Sequence, residues 1–480
     1  MKRILFLNPP ISPEERYGEL ASAGAMEPPH GLTYLAAVMR AAGWEARILD
    51  AEALRMTPGH AAAAAVSLSP DVFACTAVTV SISRAAEVAA SVKRSRPGTV
   101  TVLGGVHLTS QPRETMERFP CFDYGVIGEG ERAVREFCEA LDRGGAPGAV
   151  PGVVSREGGE LRIAPPGPFL KNLDALPLPA WDLLPPLART YALPPQSVMQ
   201  SPSTSLITSR GCTGRCIFCD TSVFRNVCRA HSAEYVMTMI RTLARDYGIR
   251  EILFEDDNFV LFRARLERLT ELLRSAGTGV SWSCLARVDM MPQPATLRAM
   301  RAAGCWQMLV GIESGCQEIL DLEKKGITLA QIAEAVRRAR DCGMRTKGFL
   351  MVGHPTETPD TVARTIRFVN SLPLDDVSVT YFTVFPGSPM WPEASRWGAV
   401  SPDFDRMSVF HPTFIPHGFT EASLTEASRR ILRCFYLRPR VVLAYLGRIR
   451  SPRQLAALAR GAMALLKHLL FRRDASSPEK

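Results

Sequence analysis

From Arg3 to Arg143 short apolar runs alternate with stretches whose apolar positions recur every three or four residues. The runs "RILFLN" (3–8), "EARILD" (45–50), "DVFACTAV" (71–78), "TVTVLGG" (99–105) and "DYGVIGEG" (123–130) predict strands. The stretches "GLTYLAAVMRAAG" (31–43), "SRAAEVAASVKRS" (83–95) and "ERAVREFCEALDR" (131–143) predict helices between them. Short apolar strands separated by helices imply a doubly wound parallel sheet covered on both faces. Ligands of such sheets bind at the carboxyl ends of the strands. Gly104, Gly105 and the Gly128-Glu129-Gly130 turn fall there, where backbone can approach a ligand closely. Tight strand-to-helix turns account for the same glycines, and no complete dinucleotide fingerprint is present.

A second alternating series begins at Ser205. Its strands are predicted at 205–210, 250–256, 281–288, 306–313, 345–353 and 376–384, with helices at 233–246, 262–275, 294–302, 328–341 and 358–371. Ser232 suits the N-cap of the first helix, with Glu234 in its first turn. Six β/α units in series predict a partial TIM-like barrel, whose site lies at the C-terminal ends of its strands. Between the two series, residues 165–202 carry ten prolines and read as a linker. The expected division is 1–148, a linker 149–202, a barrel 203–425 and a helical basic region 426–480.

The length of 480 residues agrees with several domains. No signal-peptide pattern and no apolar run long enough to span a bilayer is found, which predicts a cytoplasmic protein with reduced thiols. The net charge of +9 is unevenly placed: Arg429 to Arg473 contains twelve Lys/Arg and no Asp/Glu, so the remainder carries −3. Among twelve cysteines, Cys75, Cys138 and Cys342 read as small buried apolar residues.

Cys212, Cys216 and Cys219 need another reason. They follow the first strand of the second series, on the predicted rim, at spacing C-x3-C-x2-C. Thiolates select zinc, copper(I) or iron–sulfur clusters. A structural zinc wants four ligands, and Cys228 could be recruited. A [4Fe–4S] cluster held by three cysteines leaves one iron open to a ligand that is not protein.

"CTGRCIFC" resembles the signature of radical S-adenosylmethionine enzymes. The resemblance implies a [4Fe–4S] cluster on the three cysteines. Its open iron would bind S-adenosylmethionine, which is cleaved to a 5′-deoxyadenosyl radical. It further implies that Phe218 lies by the adenine. "FEDDNF" (254–259) stands where many members carry a Gly-Gly-Glu turn that receives the amino group; Asp256, Asp257 and Asn258 replace it here. Glu313 and Ser314 in "GIESG" resemble residues at the ribose or methionine end. "GFLMVGHPTET" and "FTVFPGSPMW" resemble the fifth and sixth strand segments of the family.

The N-terminal segments "LFLNPP", "PPHGLTYLAAVMRAAG", "GGVHLT" and "GVIGEGE" resemble the cobalamin-binding domain fused to one large class of these enzymes. That class includes methyltransferases and the anaerobic magnesium-protoporphyrin ester cyclase. The D-x-H-x-x-G motif is absent after the first strand, which reads "NPPISPEERYGEL", so no lower histidine ligand is expected there. His107 and His30 are candidates near the rim.

The resemblance favours methyl transfer to an unactivated carbon, with radical cyclisation or oxidation as the alternative. An electron donor such as flavodoxin or ferredoxin is implied. A non-catalytic iron–sulfur or cobalamin sensor is the reading of another class. The basic tail mixes aliphatic stripes with arginine. It reads either as helices on an anionic membrane surface, at the inner face of the membrane, or as helices packed on the barrel. Its long aliphatic stripes argue against nucleic acid. Membrane contact would favour a lipid-like small-molecule substrate.

Overall fold

The computed structural model describes residues 2–194 and 197–447, with Ala459 and Met463 beyond them. The first sheet contains β1 (Arg3–Asn8), β2 (Glu45–Asp50), β3 (Val72–Thr76), β4 (Val100–Gly104) and β5 (Tyr124–Val126), in the order 2-1-3-4-5 and all parallel. Alternate residues serve opposite helix layers. Leu5, Leu7, Phe73 and Leu103 pack against one, Ile4, Phe6, Val72 and Val102 against the other. That two-sided burial is why these strands read as unbroken apolar runs.

The sheet continues beyond β5. β6 (Val153–Glu157) and β7 (Glu160–Ile163) form an antiparallel hairpin on its edge, inside the stretch expected to be linker. Gly158 and Gly159, both at positive φ, make its two-residue turn.

The second sheet is parallel and follows chain order: β8 (Ser203–Leu206), β9 (Glu251–Phe254), β10 (Ser281–Ala286), β11 (Cys305–Glu313), β12 (Arg345–Val352) and β13 (Asp376–Tyr381). The helices Ala233–Asp246, Arg263–Ala276, Pro294–Ala302, Leu329–Asp341 and Pro359–Ser371 cover its outer face. Ser232 caps the first of them by accepting from the Tyr235 N–H at 3.1 Å. The strand expected over 205–210 is split. β8 ends at Leu206, and Ser209–Arg210 leaves the sheet to pair with Arg229–Ala230.

Inward residues of four barrel strands form an apolar floor. Leu253, Leu285, Leu309 and Phe349 meet Leu193 and Val198 from the Pro-rich stretch. The buried Glu251 carboxylate fixes this stretch by accepting from the Met199 and Gln200 N–H groups at 2.8 and 2.5 Å. Tyr191 donates to Asp50 at 2.6 Å, tying the same stretch to the first domain. The prolines therefore mark a strap that closes the barrel floor, not a free spacer.

After β13 the helices Glu421–Tyr436 and Pro439–Leu446 return along the barrel. Arg438 and Arg440 donate to the carbonyls of Asn370, Leu372 and Leu374, just before β13, which places the second helix at the floor end. The basic tail beyond Gly447 lies outside the described residues, apart from the two noted. Among the described residues, no helix is long and apolar enough to cross a membrane.

Candidate active site

The cysteines lie on the loop between β8 and the helix Ala233–Asp246. Its neck is the pair Ser209–Arg210 and Arg229–Ala230. Gly211 has φ +84°, and a Cβ there would lie 2.5 Å from the Val227 carbonyl oxygen, so only glycine lets the neck close. Asn226 braces the loop from inside, donating to the Cys212 and Gly214 carbonyls at 3.0 and 2.6 Å. The Gly214 N–H donates to Cys212 Sγ at 3.3 Å.

The far side of the loop is pinned on two edges. Ile217 N–H donates to the Glu323 carbonyl at 3.0 Å, and its own carbonyl accepts from Met390 N–H at 3.0 Å. Phe218 then faces Phe382, with ring centroids 6.1 Å apart, and Lys325 Nζ stands 5.8 Å from its centroid.

Two cations flank Cys216. Arg287, directly after β10, places Nη1 3.9 Å from its Sγ and donates through Nη2 to the Lys325 carbonyl at 2.8 Å. Lys325 Nζ pairs with Glu313 Oε1 at 2.5 Å, and both are buried. A hydrogen bond from Cys219, then Lys325 and Arg287, lower the Cys216 thiol against its burial. Burial alone would lower Lys325; Glu313 and Cys216 hold it raised. Glu313 sits at φ +61°, unusual for a residue with a Cβ. Gly311 makes room for the ion pair, since a Cβ there would meet Glu313 Oε1 at 2.4 Å and Lys325 Nζ at 2.7 Å.

The three residues replacing the Gly-Gly-Glu turn divide. Asp256 is fully buried and accepts from Thr208 N–H at 2.5 Å, Thr208 Oγ1 at 2.7 Å and Ser209 Oγ at 2.7 Å, with Arg265 at 3.7 Å. Its carboxylate ties β9 to the loop neck and is spent there. Asp257 is exposed on the rim of a 240 Å³ cavity between the domains. Asn258 is buried; its Oδ1 accepts from Arg287 N–H at 3.3 Å, and its Nδ2 meets no protein acceptor. Ser314 points elsewhere: its hydroxyl meets Thr365 on the outer helix layer at 3.3 Å.

The rim of the first sheet faces this loop. Gly104 is open, with no atom nearer than 3.7 Å to a Cβ placed on it. Gly105, at φ +101°, is required by its neighbours, because a Cβ would lie 2.5 Å from the Ala77 carbonyl. His107 is buried, with Nδ1 3.2 Å from Thr79 Oγ1 and its ring against Phe404. His30 reaches across to Ser205 Oγ at 2.9 Å. Burial holds both imidazoles neutral, down to about 4. Gly128 donates to Thr109 Oγ1 at 3.1 Å, and Gly130 opens the helix Gly130–Asp142. Glu129 has its carboxylate engaged by Arg210 and Arg229 of the loop neck.

The residues fit a three-thiolate cluster. Among the described residues no three His, Cys, Asp or Glu side chains converge at single-ion spacing. Three soft donors on one loop, two cations beside them and the free Asn258 donor suit an anionic cluster with a polar ligand. Arg287, Lys325 and the two neck arginines were missed in the sequence. Arg287 had a signal, a charge at the end of an apolar strand; "EKKG" around Lys325 offers none.

A cysteine loop on the C-terminal rim of a parallel half-barrel, faced by a doubly wound domain, defines an iron–sulfur enzyme with a second cofactor-binding module. Residues 206–369 match the Radical SAM superfamily and residues 19–138 the B12 binding domain. The chain is 32% identical over 445 residues to an uncharacterized methyltransferase of Pyrococcus horikoshii, covering 92% of this chain and 94% of that one. It is 26% identical to the anaerobic magnesium-protoporphyrin IX monomethyl ester cyclase of Rubrivivax gelatinosus, covering 91% and 77%. The radical S-adenosylmethionine methyltransferase TsrM from Kitasatospora setae, solved with cobalamin and a [4Fe-4S] cluster, shares the fold at TM-score 0.70 and 17% identity, over 97% of this chain and 99% of that one. The chain belongs to the radical S-adenosylmethionine superfamily, in the group that carries a B12-binding domain. Its cofactors are accordingly a [4Fe-4S] cluster, S-adenosylmethionine and cobalamin.

Proposed function

We propose that the protein is a C-methyltransferase acting on an unactivated carbon of a hydrophobic or natural-product-like small molecule. The observation that carries this reading is the contact of the cysteine loop with the rim of the B12-binding domain, through Ser110 and Asp220 and through Glu129 and the neck arginines. When bound, the cluster supplies the electron that cleaves S-adenosylmethionine, and cobalamin supplies a methyl group to a carbon radical.

The chain's own residues do the rest. Cys212, Cys216 and Cys219 hold the cluster and leave one iron open. Phe218 would lie by the adenine of bound S-adenosylmethionine. Glu313, oriented by Lys325, and Asp257 with Asn258 receive the ribose and the polar end of methionine. Gly104, Gly105, His107, Gly128 and Gly130 form the corrinoid rim, where His107 Nδ1 meets Thr79 and His30 Nε2 meets Ser205. A flavodoxin or ferredoxin delivers the electron. The enzyme works in the cytoplasm, its tail on the inner membrane surface.

Anaerobic protein reconstituted with iron, sulfide and cobalamin tests this. With dithionite and S-adenosylmethionine it is expected to form 5′-deoxyadenosine, and Cys216→Ala to fall to background. Corrinoid-dependent formation of S-adenosylhomocysteine separates methylation from the cyclase alternative. If 5′-deoxyadenosine stays at the Cys216→Ala level, the enzyme reading is wrong and a sensor role takes its place.

A further inference from the structure

The neck of the cysteine loop has a feature that the loop alone does not explain. Arg210 and Arg229 stand directly opposite each other across its two strands. Like charges in that register repel. Both guanidiniums are nearly buried, at 12% and 9% side-chain exposure, where repulsion is poorly screened.

What makes the neck stable comes from the other domain. Glu129, between β5 and the helix Gly130–Asp142, accepts from Arg210 Nη1 at 2.7 Å and from Arg229 Nη1 at 2.8 and 2.9 Å. Glu131 pairs with the second nitrogen of Arg210. Leu170 on the strap completes the junction, donating its N–H to Glu129 at 3.1 Å and accepting from Arg229 at 3.0 Å. Burial would raise the Glu129 carboxyl, yet Arg210 and Arg229 bring it below its ordinary range, so it stays ionised.

The other end of the loop is tied too. Asp220, next to Cys219, accepts from Ser110 at 2.7 Å, and Ser110 follows Gly105 at the end of β4. Gly387 clears space for that carboxylate, since a Cβ there would come within 2.2 Å of it.

We propose that Glu129 is a positioning residue: it completes the cysteine loop from the B12-binding domain and, with the Ser110–Asp220 tie, sets the cluster's place relative to the corrinoid rim. The two like-charged strands close only when this carboxylate lies between them, so assembly of the cluster loop is conditional on domain docking. The second half of the proposal, the corrinoid geometry, rests on the function proposed above.

The test uses the full chain in two arms. In the first, amide hydrogen exchange over residues 211–228 is followed without cobalamin. Glu129→Gln is expected to speed it at least tenfold, because two guanidiniums lose their counter-charge. Glu129→Gln/Arg229→Gln is expected to return it to within about threefold of the parent, since one uncompensated charge is gone and Arg210 keeps Glu131. Ser110→Ala, a small deletion on the other tie, speeds exchange only near Cys219–Ser222. Parent-like exchange in Glu129→Gln, or a double variant no slower than the single one, overturns the positioning role. In the second arm, electron paramagnetic resonance reads the spin coupling between the reduced cluster and cob(II)alamin. Compared at equal iron content, Glu129→Gln is expected to lose at least half of that coupling, and the double variant to regain it. Undiminished coupling in Glu129→Gln refutes the geometric half. No coupling in the parent chain refutes the cobalamin reading instead, while the exchange arm still decides the role of Glu129.

Discussion

Lys325 shows what a single residue does at this site. It is buried against Glu313, Phe218 and Cys216, and its charge makes the ionised forms of its neighbours tolerable there. Removing one partner of a buried pair leaves the other charge uncompensated, at a cost of about 3–5 kcal/mol. Lys325→Met is therefore expected to weaken S-adenosylmethionine binding about tenfold or more, read by equilibrium dialysis on reconstituted protein. An unchanged constant would separate the ion pair from the ligand site. The three cysteines were legible because their spacing is local and their chemistry is narrow. Lys325 was not, because its partners come from three separate strand-end segments and only the folded barrel joins them.

At the scale of elements, the segment after β12 carries a buried charge pair. His354 is fully buried against Glu323, with Glu357 nearby. Burial would lower its imidazole, but the two carboxylates raise it to about 9. The folded value lies above the ordinary 6.5. The stabilisation is therefore fully present below about pH 6.5 and is lost as pH rises through about 9. The parent Tm is expected to fall between pH 7 and 10. His354→Gln should start lower, by roughly 5 °C or more, and fall less across that window; parallel curves from the two proteins would exclude the pair as the source. Because the Glu323 carbonyl also holds Ile217, loosening this pair loosens the cysteine loop from behind.

Element boundaries were readable where the period was strong. β1, β2 and most barrel strands fall close to their apolar runs. The hairpin β6–β7 was not seen, although "VVSREGGELRI" has the alternation and the Gly-Gly turn that signal one. The neighbouring prolines outweighed that pattern. The split after Leu206 was hidden for a different reason: "SLITSR" is a plausible strand, and only the returning partner at Arg229 shows where the chain leaves the sheet.

Across the whole molecule, the helix Pro439–Leu446 and the site occupy opposite ends of the barrel. Leu437, Leu443 and Leu446 are exposed at the floor end, at 67%, 66% and 58%, just before the basic residues of the tail. Such a face suits an anionic bilayer, at about 1 kcal/mol per Lys or Arg near the surface. The full chain is expected to sediment with vesicles containing phosphatidylglycerol at low salt and not with phosphatidylcholine alone. Leu443→Asp/Leu446→Asp should weaken binding several-fold. Equal recovery from both vesicle types would rule out the charged surface as the attraction. Docked this way, the cysteine loop would face away from the bilayer, so a lipid-like substrate would have to leave the membrane to reach it.

The Pro-rich strap has a consequence for how this protein can change. It supplies Leu193 and Val198 to the barrel floor, Tyr191 to Asp50 and Leu170 to the Glu129 junction. A graft that exchanged the first domain at residue 149 would cut the recipient off from its own floor or from its own clamp. Diversification by recombination is therefore confined to the chain after β13, whereas the N-terminal module, the strap and the loop neck must be inherited as one block.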